Sequence, residues 1–188
     1  MDDFKIKERF DEALKKVENS IRLGFDREKK RWFPHGSLEG GTPTLAYGYK
    51  LTPVEVSTGL IKLNKEEAYL NYKNGLTELE AELLYVTSRN RAESIAKDQW
   101  ELYANTDVSW EDLPIKYKLV LINIVYNVGT LVKGRRWVWP SLRNAILDEN
   151  DRKVREEMLT SYTDPHTKVR VYLKNRRDTI ADAIGLDK

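Results

Sequence analysis

The stretch YKLVLINIVYNVG, residues 117–129, limits more than any other what this chain can fold into. It is apolar around nearly its whole helical circumference, so a helix built from it has no face to offer water and must be surrounded by other helices. Gly129 supplies a cap at its end. Three later segments carry apolar residues at helical spacing and can do the surrounding: SLRNAILDEN (141–150), RKVREEMLTSY (152–162) and TKVRVYLKNRRDTIADAI (167–184). The C-terminal part therefore reads as a helical bundle. A chain of 188 residues suits one compact unit, and 33% charged with 10% aromatic residues fits a folded globular protein.

The N-terminal part reads differently. Residues 3–18 place Ile6, Phe10, Ala13, Leu14 and Val17 at steps of three and four, an amphipathic helix that ends at Glu18. From RLGFD to AYGYK that period disappears and glycines and prolines accumulate. Trp32-Phe33 and Leu45-Ala46-Tyr47 are expected as short strands joined by a Gly40-Gly41 turn. TPVE (52–55) has the threonine, proline and glutamate of a capping box, which starts a helix at Pro53, and TELE (77–80) repeats the device. The segment from Glu78 to about Tyr103 is long enough to connect two lobes, with Leu79, Leu83, Val86, Ile95, Trp100 and Leu102 as its apolar positions. The expected fold is α+β and mostly helical. A sheet-containing lobe (18–76) is joined by a helix (77–104) to a helical lobe (105–188), on which helix 3–17 packs.

Composition removes several chemistries. There is no cysteine, hence no disulfide, thiol nucleophile or thiolate metal site, and two histidines, His35 and His166, are too few for a zinc cage. No apolar run approaches the length of about 18 residues that spans a bilayer, and MDDFKIKERF is no signal peptide, so a cytoplasmic chain without membrane insertion is expected. Thr130–Arg177 holds 12 Lys/Arg against 6 Asp/Glu, while the remainder holds 20 against 24. That asymmetry suits an anionic partner, whether nucleic acid, membrane surface or wall polymer, and equally a solvated helical surface. No nucleic-acid motif accompanies it.

The reactive groups near the glycine-rich bend HGSLEGGTPTLAYGYKLT (35–52) are acids: Glu18 at a helix end and Glu39 in the turn. Two carboxyls facing each other across a cleft are what glycoside hydrolysis needs, one to protonate the leaving oxygen and one to assist water or the developing cation. Glycine lets backbone approach a sugar closely. A solvated turn residue and a solvated helix end account for the same two glutamates.

TLAYGYKLT (44–52) resembles the T-I-G-x-G-H-x-L-T strand and turn of the phage-type lysozymes, the family of the T-even phage lysozyme and many endolysins. INIVYNVG (122–129) is similar to that family's buried helix I-N-M-V-F-Q-M-G, SLRNAILDEN to the helix after it, and YLKNRRDTIADAI (172–184) to its terminal G-L-x-x-R-R-x-x-E helix. The likeness runs from about residue 14 to 184 in the same order. It implies a muramidase that cleaves between N-acetylmuramic acid and N-acetylglucosamine in peptidoglycan, a monomer without a cofactor. Such an enzyme reaches the wall through a membrane lesion at lysis or is carried in the virion.

Position by position, the resemblance makes Glu18 the general acid and Thr44 the residue whose hydroxyl holds the attacking water. The family's second acid falls on Leu38; Glu39, one step later, takes the role through a one-residue shift, with Asp26 in reserve. The insertion DREKKRWFPHGS leaves Glu28 as an alternative to Glu18, and Tyr49 stands where the family has a histidine. Arg176 is implied as the guanidinium that orients Glu18, with His35 and Tyr47 as further substrate-binding residues at the cleft. Trp137, Trp139 and the Arg135-Arg136 pair could touch the glycan or its peptides, yet core packing and a solvated pair explain them as well. Asn123 is expected to satisfy a buried backbone group. The imperfect second acid and Tyr49 also allow a non-catalytic wall-binding or structural virion module of the same fold.

Overall fold

A computed structural model describes residues 2–19, 22–36, 43–63, 68–163 and 167–187. The fold is α+β and mostly helical, with seven helices and five two-stranded antiparallel sheets among the described residues. The chain divides into two compact units: one comprises residues 18–88 with 163–169, the other residues 1–17, 89–162 and 170–188.

The first unit begins where α1 (Asp3–Asn19) ends. Strands β1 (Phe25–Asp26) and β2 (Arg31–Trp32) form a hairpin in the register Phe25↔Trp32 and Asp26↔Arg31. Strands β3 (Thr44–Leu45) and β4 (Tyr49–Lys50) form a second, with Leu45↔Tyr49 closing the three-residue turn Ala46-Tyr47-Gly48. Trp32-Phe33 and Leu45-Tyr47 therefore do not pair with each other as the sequence suggested. Each strand pairs with its nearest neighbour along the chain, which costs less loop entropy. The two hairpins are linked by one bridge, His35↔Thr44, while the expected Gly40-Gly41 turn lies outside the described residues.

Both capping boxes form. Thr52 and Glu55 exchange their reciprocal bonds at the head of α2 (Pro53–Thr58), and Thr77 with Glu80 does the same at the head of α3 (Glu78–Tyr103). Strands β5 (Leu60–Lys62) and β6 (Tyr69–Asn71) each turn one residue inward, Ile61 opposite Leu70. These two join Trp32, Leu45, Leu51, Leu76 and Leu84 in the unit's core.

The second unit is built around α4 (Ile115–Val128), in which every residue from Leu119 to Val125 is buried. Gly129, at φ 90°, ends it. Around it stand the latter part of α3, α5 (Pro140–Leu147), α6 (Asp151–Glu157) and α7 (Lys174–Ile184), together with the buried Phe10 and Leu14 of α1. Trp137 is the last residue of a small hairpin of β7 (Val132–Lys133) and β8 (Arg136–Trp137), and its ring meets Trp100 edge to face at 5.7 Å. Trp137 is thus core. Arg155, buried in the bundle, is matched by Asp182 at 2.7 Å and Asp178 at 3.2 Å.

Three expectations are corrected. The helices predicted over 152–162 and 167–184 stop at Glu157 and start at Lys174, because Ser161–Thr163 (β9) and Arg170–Tyr172 (β10) form a hairpin. The alternation in TKVRVY is strand-like, and the helical reading overran it. On α3 four of the six apolar positions chosen from sequence are exposed, Leu79 by 80%, Leu102 by 69%, and Leu83 and Val86 by nearly half, whereas Trp100 is buried as expected. The buried face is Ala81, Leu84, Tyr85, Ala92, Ala96 and Trp100. Three small alanines share that face with Leu84, Tyr85 and Trp100.

Candidate functional site

Glu18 occupies the last turn of α1, half-buried, and its carboxylate lies over the turn between β3 and β4. Gly48 makes that approach possible. At φ 85° it holds a left-handed conformation, and a Cβ there would stand 2.5 Å from Glu18 Oε2 and 3.1 Å from its carboxyl carbon. The adjacent Asn19, itself buried, fastens the helix end to the same turn. Its Nδ2 donates to the Ala46 carbonyl at 2.8 Å and to the Leu23 carbonyl at 3.0 Å, and its Oδ1 accepts from the Leu23 amide at 2.7 Å. Thr44 is buried two residues before Ala46, on the strand that enters this turn. Its amide and carbonyl both bond to His35, at 2.8 and 2.9 Å.

Beside the turn stands a second acid, one the sequence reading passed over. Glu78 accepts from Tyr47 Oη at 2.6 Å, from Arg22 Nη2 at 2.6 Å and from Trp32 Nε1 at 3.0 Å. Burial pushes its carboxyl up, but the bonds from Tyr47, Trp32 and Arg22 together outweigh that and hold it below the usual glutamate range. Burial and the same Glu78 raise the Tyr47 phenol well above the ordinary tyrosine range. Arg22 in turn lies 3.9 Å from the centre of the Phe25 ring and 4.8 Å from that of Trp32. The sequence signal for Glu78 was present, an acid in the first turn of a long helix, but the helix dipole alone accounts for an acid at that position.

The remaining predicted residues fall out as follows. Asp26 Oδ1 accepts from the Glu28 and Lys29 amides at 3.0 and 2.9 Å, which closes its own hairpin turn. Glu28 is exposed on that turn. Glu39 lies outside the described residues, as does His166. The ring of His35 packs over Gly24, with Nδ1 3.0 Å from the Gly36 carbonyl and Nε2 buried without a hydrogen-bond partner among the described residues. Tyr49, at the position of the expected histidine, donates to Glu55 Oε1 at 2.6 Å and so ties β4 to the head of α2.

In the helical unit, Arg176 is buried on α7 and its Nη2 donates to Asn123 Oδ1 at 3.0 Å. Asn123 thus receives a guanidinium inside the apolar helix, where a backbone partner had been expected. Trp139 is half-buried at the head of α5, and Arg135 and Arg136 are exposed. Arg135 borders a polar depression of about 650 Å³ together with Glu101, Asn105 and Asp107. Among the described residues no group of His, Asp and Glu is arranged to hold a metal, and no helix is long and apolar enough to cross a membrane.

The arrangement offers a carboxyl at a helix end, held against a hairpin turn, with a threonine hydroxyl on the strand leading into that turn. Comparison of the chain with family models, with curated proteins and with solved structures finds no match.

Proposed function

We propose that this protein is a peptidoglycan hydrolase, a muramidase of the phage lysozyme type. The observation that carries the reading is the seating of the Glu18 carboxylate against Gly48, in the hairpin that begins with Thr44. The resemblance predicts a proton donor at the end of the first helix and a water-holding hydroxyl on the following strand. A contact between the helix end and that strand's turn is what such a pair requires. In this mechanism Glu18 protonates the leaving oxygen, Thr44 holds the attacking water, and Glu39 draws its proton. Inversion requires the two carboxyls to stand roughly 6.5–9.5 Å apart, leaving room for that water. Glycan strands of the wall are the substrate, and no cofactor enters the chemistry. His35 and Tyr47 contribute to substrate binding in this reading.

Permeabilised Gram-negative cells test it. The parent is expected to clear their turbidity, and Glu18→Gln and Glu39→Gln to leave it; equal clearing by parent and Glu18→Gln removes Glu18 as the acid. A second reading, a non-catalytic wall-binding module, is favoured by the engagement of Asp26 with its own turn, which withdraws the reserve acid. Co-sedimentation with purified walls and no clearing by the parent would select it.

A further inference from the structure

We infer that Asn19 is a positioning residue for the acid beside it, an inference that rests on Glu18 being the proton donor. Asn19 directly follows Glu18 at the end of α1, and a helix end is where the backbone frays most readily. Three bonds prevent that. Two close the side chain on Leu23, fixing the path by which the chain leaves the helix; the third, Nδ2 to the Ala46 carbonyl at 2.8 Å, crosses to the turn that Glu18 rests on. Ala46 is an unusual anchor, since it is itself held at φ 49° and is fully buried, so its carbonyl has no freedom to follow a moving helix end. Gly48 completes the seat from the other side of the turn, where a Cβ would meet the carboxylate. The amide of Asn19 therefore sets the distance between the helix end and the turn, and with it the place of the Glu18 carboxyl relative to the strand that bears Thr44. Nothing else in an asparagine at this position reaches substrate chemistry: all its polar atoms are engaged by backbone.

The donor to Ala46 can be removed without changing shape. Asn19→Asp keeps the acceptor for the Leu23 amide but loses both Nδ2 donations; Asn19→Ala loses all three bonds. On soluble, uncross-linked glycan chains from peptidoglycan, both variants are expected to lose about 100-fold in kcat while KM stays within about twofold, as misplacement of a catalytic group by an ångström does. Thr52→Ala, a cap variant on α2, serves as the stability control and is expected to keep the parent's kcat at a temperature where all variants are folded. If Asn19→Ala does not fold, the isosteric Asn19→Asp decides. Parental kcat in Asn19→Asp, or a loss in proportion to the fall in Tm and matched by Thr52→Ala, overturns the positioning role. A parent without hydrolytic activity overturns the muramidase reading itself and takes this role with it, so the two failures are told apart by the parent alone.

Discussion

Gly48 is the residue on which the geometry of the candidate site turns. It combines a left-handed backbone with a direct approach by the Glu18 carboxylate. Gly48→Ala therefore suffers twice: the backbone strain of an L-residue at positive φ, about 1–2 kcal/mol, and displacement of the carboxylate. Thermal unfolding is expected to show that loss, and the wall-lytic assay a larger one, because the acid moves while the fold survives. Glu78 gives a second prediction at this scale, of acid sensitivity. Its folded-state carboxyl titrates below the ordinary glutamate value of about 4.3, so the stability it contributes is present above that value and is lost as pH falls through the folded one. The stability advantage of the parent over Glu78→Gln, read from urea midpoints, is expected to shrink between pH 7 and about pH 3. An advantage that grows on acidification would reverse the assigned sign.

Among the elements, the starts of α2 and α3 were legible because capping is local chemistry: TPVE and TELE each form the box that their spacing dictates. Thr77→Ala is expected to lower stability by about 1 kcal/mol in denaturant unfolding, the ordinary cost of an N-cap. The wholly apolar α4 was legible for the same kind of reason, since no alternative orientation exists for a helix without a polar face. The face of α3 was not. Both of its sides carry apolar residues, and only packing decides between the leucines and the alanines. Leu84→Ala should cost about 2–5 kcal/mol as a buried truncation, whereas Leu79→Gln should change stability by less than about 0.5 kcal/mol. The short strands were also obscure. Two- and three-residue strands have too few positions for alternation to register, and the β9–β10 hairpin sits in a stretch whose spacing also fits a helix.

Across the whole molecule, the glycine-rich stretch falls in the unit that holds strands β1 to β6, and the apolar α4 falls in the other. The sequence was legible in placing Glu18 at a helix end and Thr44 on a following strand, the two positions on which the proposed roles depend. It was illegible at Asn19, Gly48 and Glu78, whose roles depend on contacts between segments that only folding brings together. The basic balance of Thr130–Arg177 is partly consumed inside the helical unit, where Arg155 is paired with two aspartates and Arg176 is bonded to Asn123. It is therefore a weaker pointer to an anionic partner than the charge count suggests. The most direct test of the account is mass spectrometry of the fragments released from purified peptidoglycan by the parent and by Glu18→Gln. The account predicts disaccharide-containing fragments with reducing N-acetylmuramic acid ends from the parent and none from Glu18→Gln; no such fragments from the parent, or the same yield from both, would contradict it.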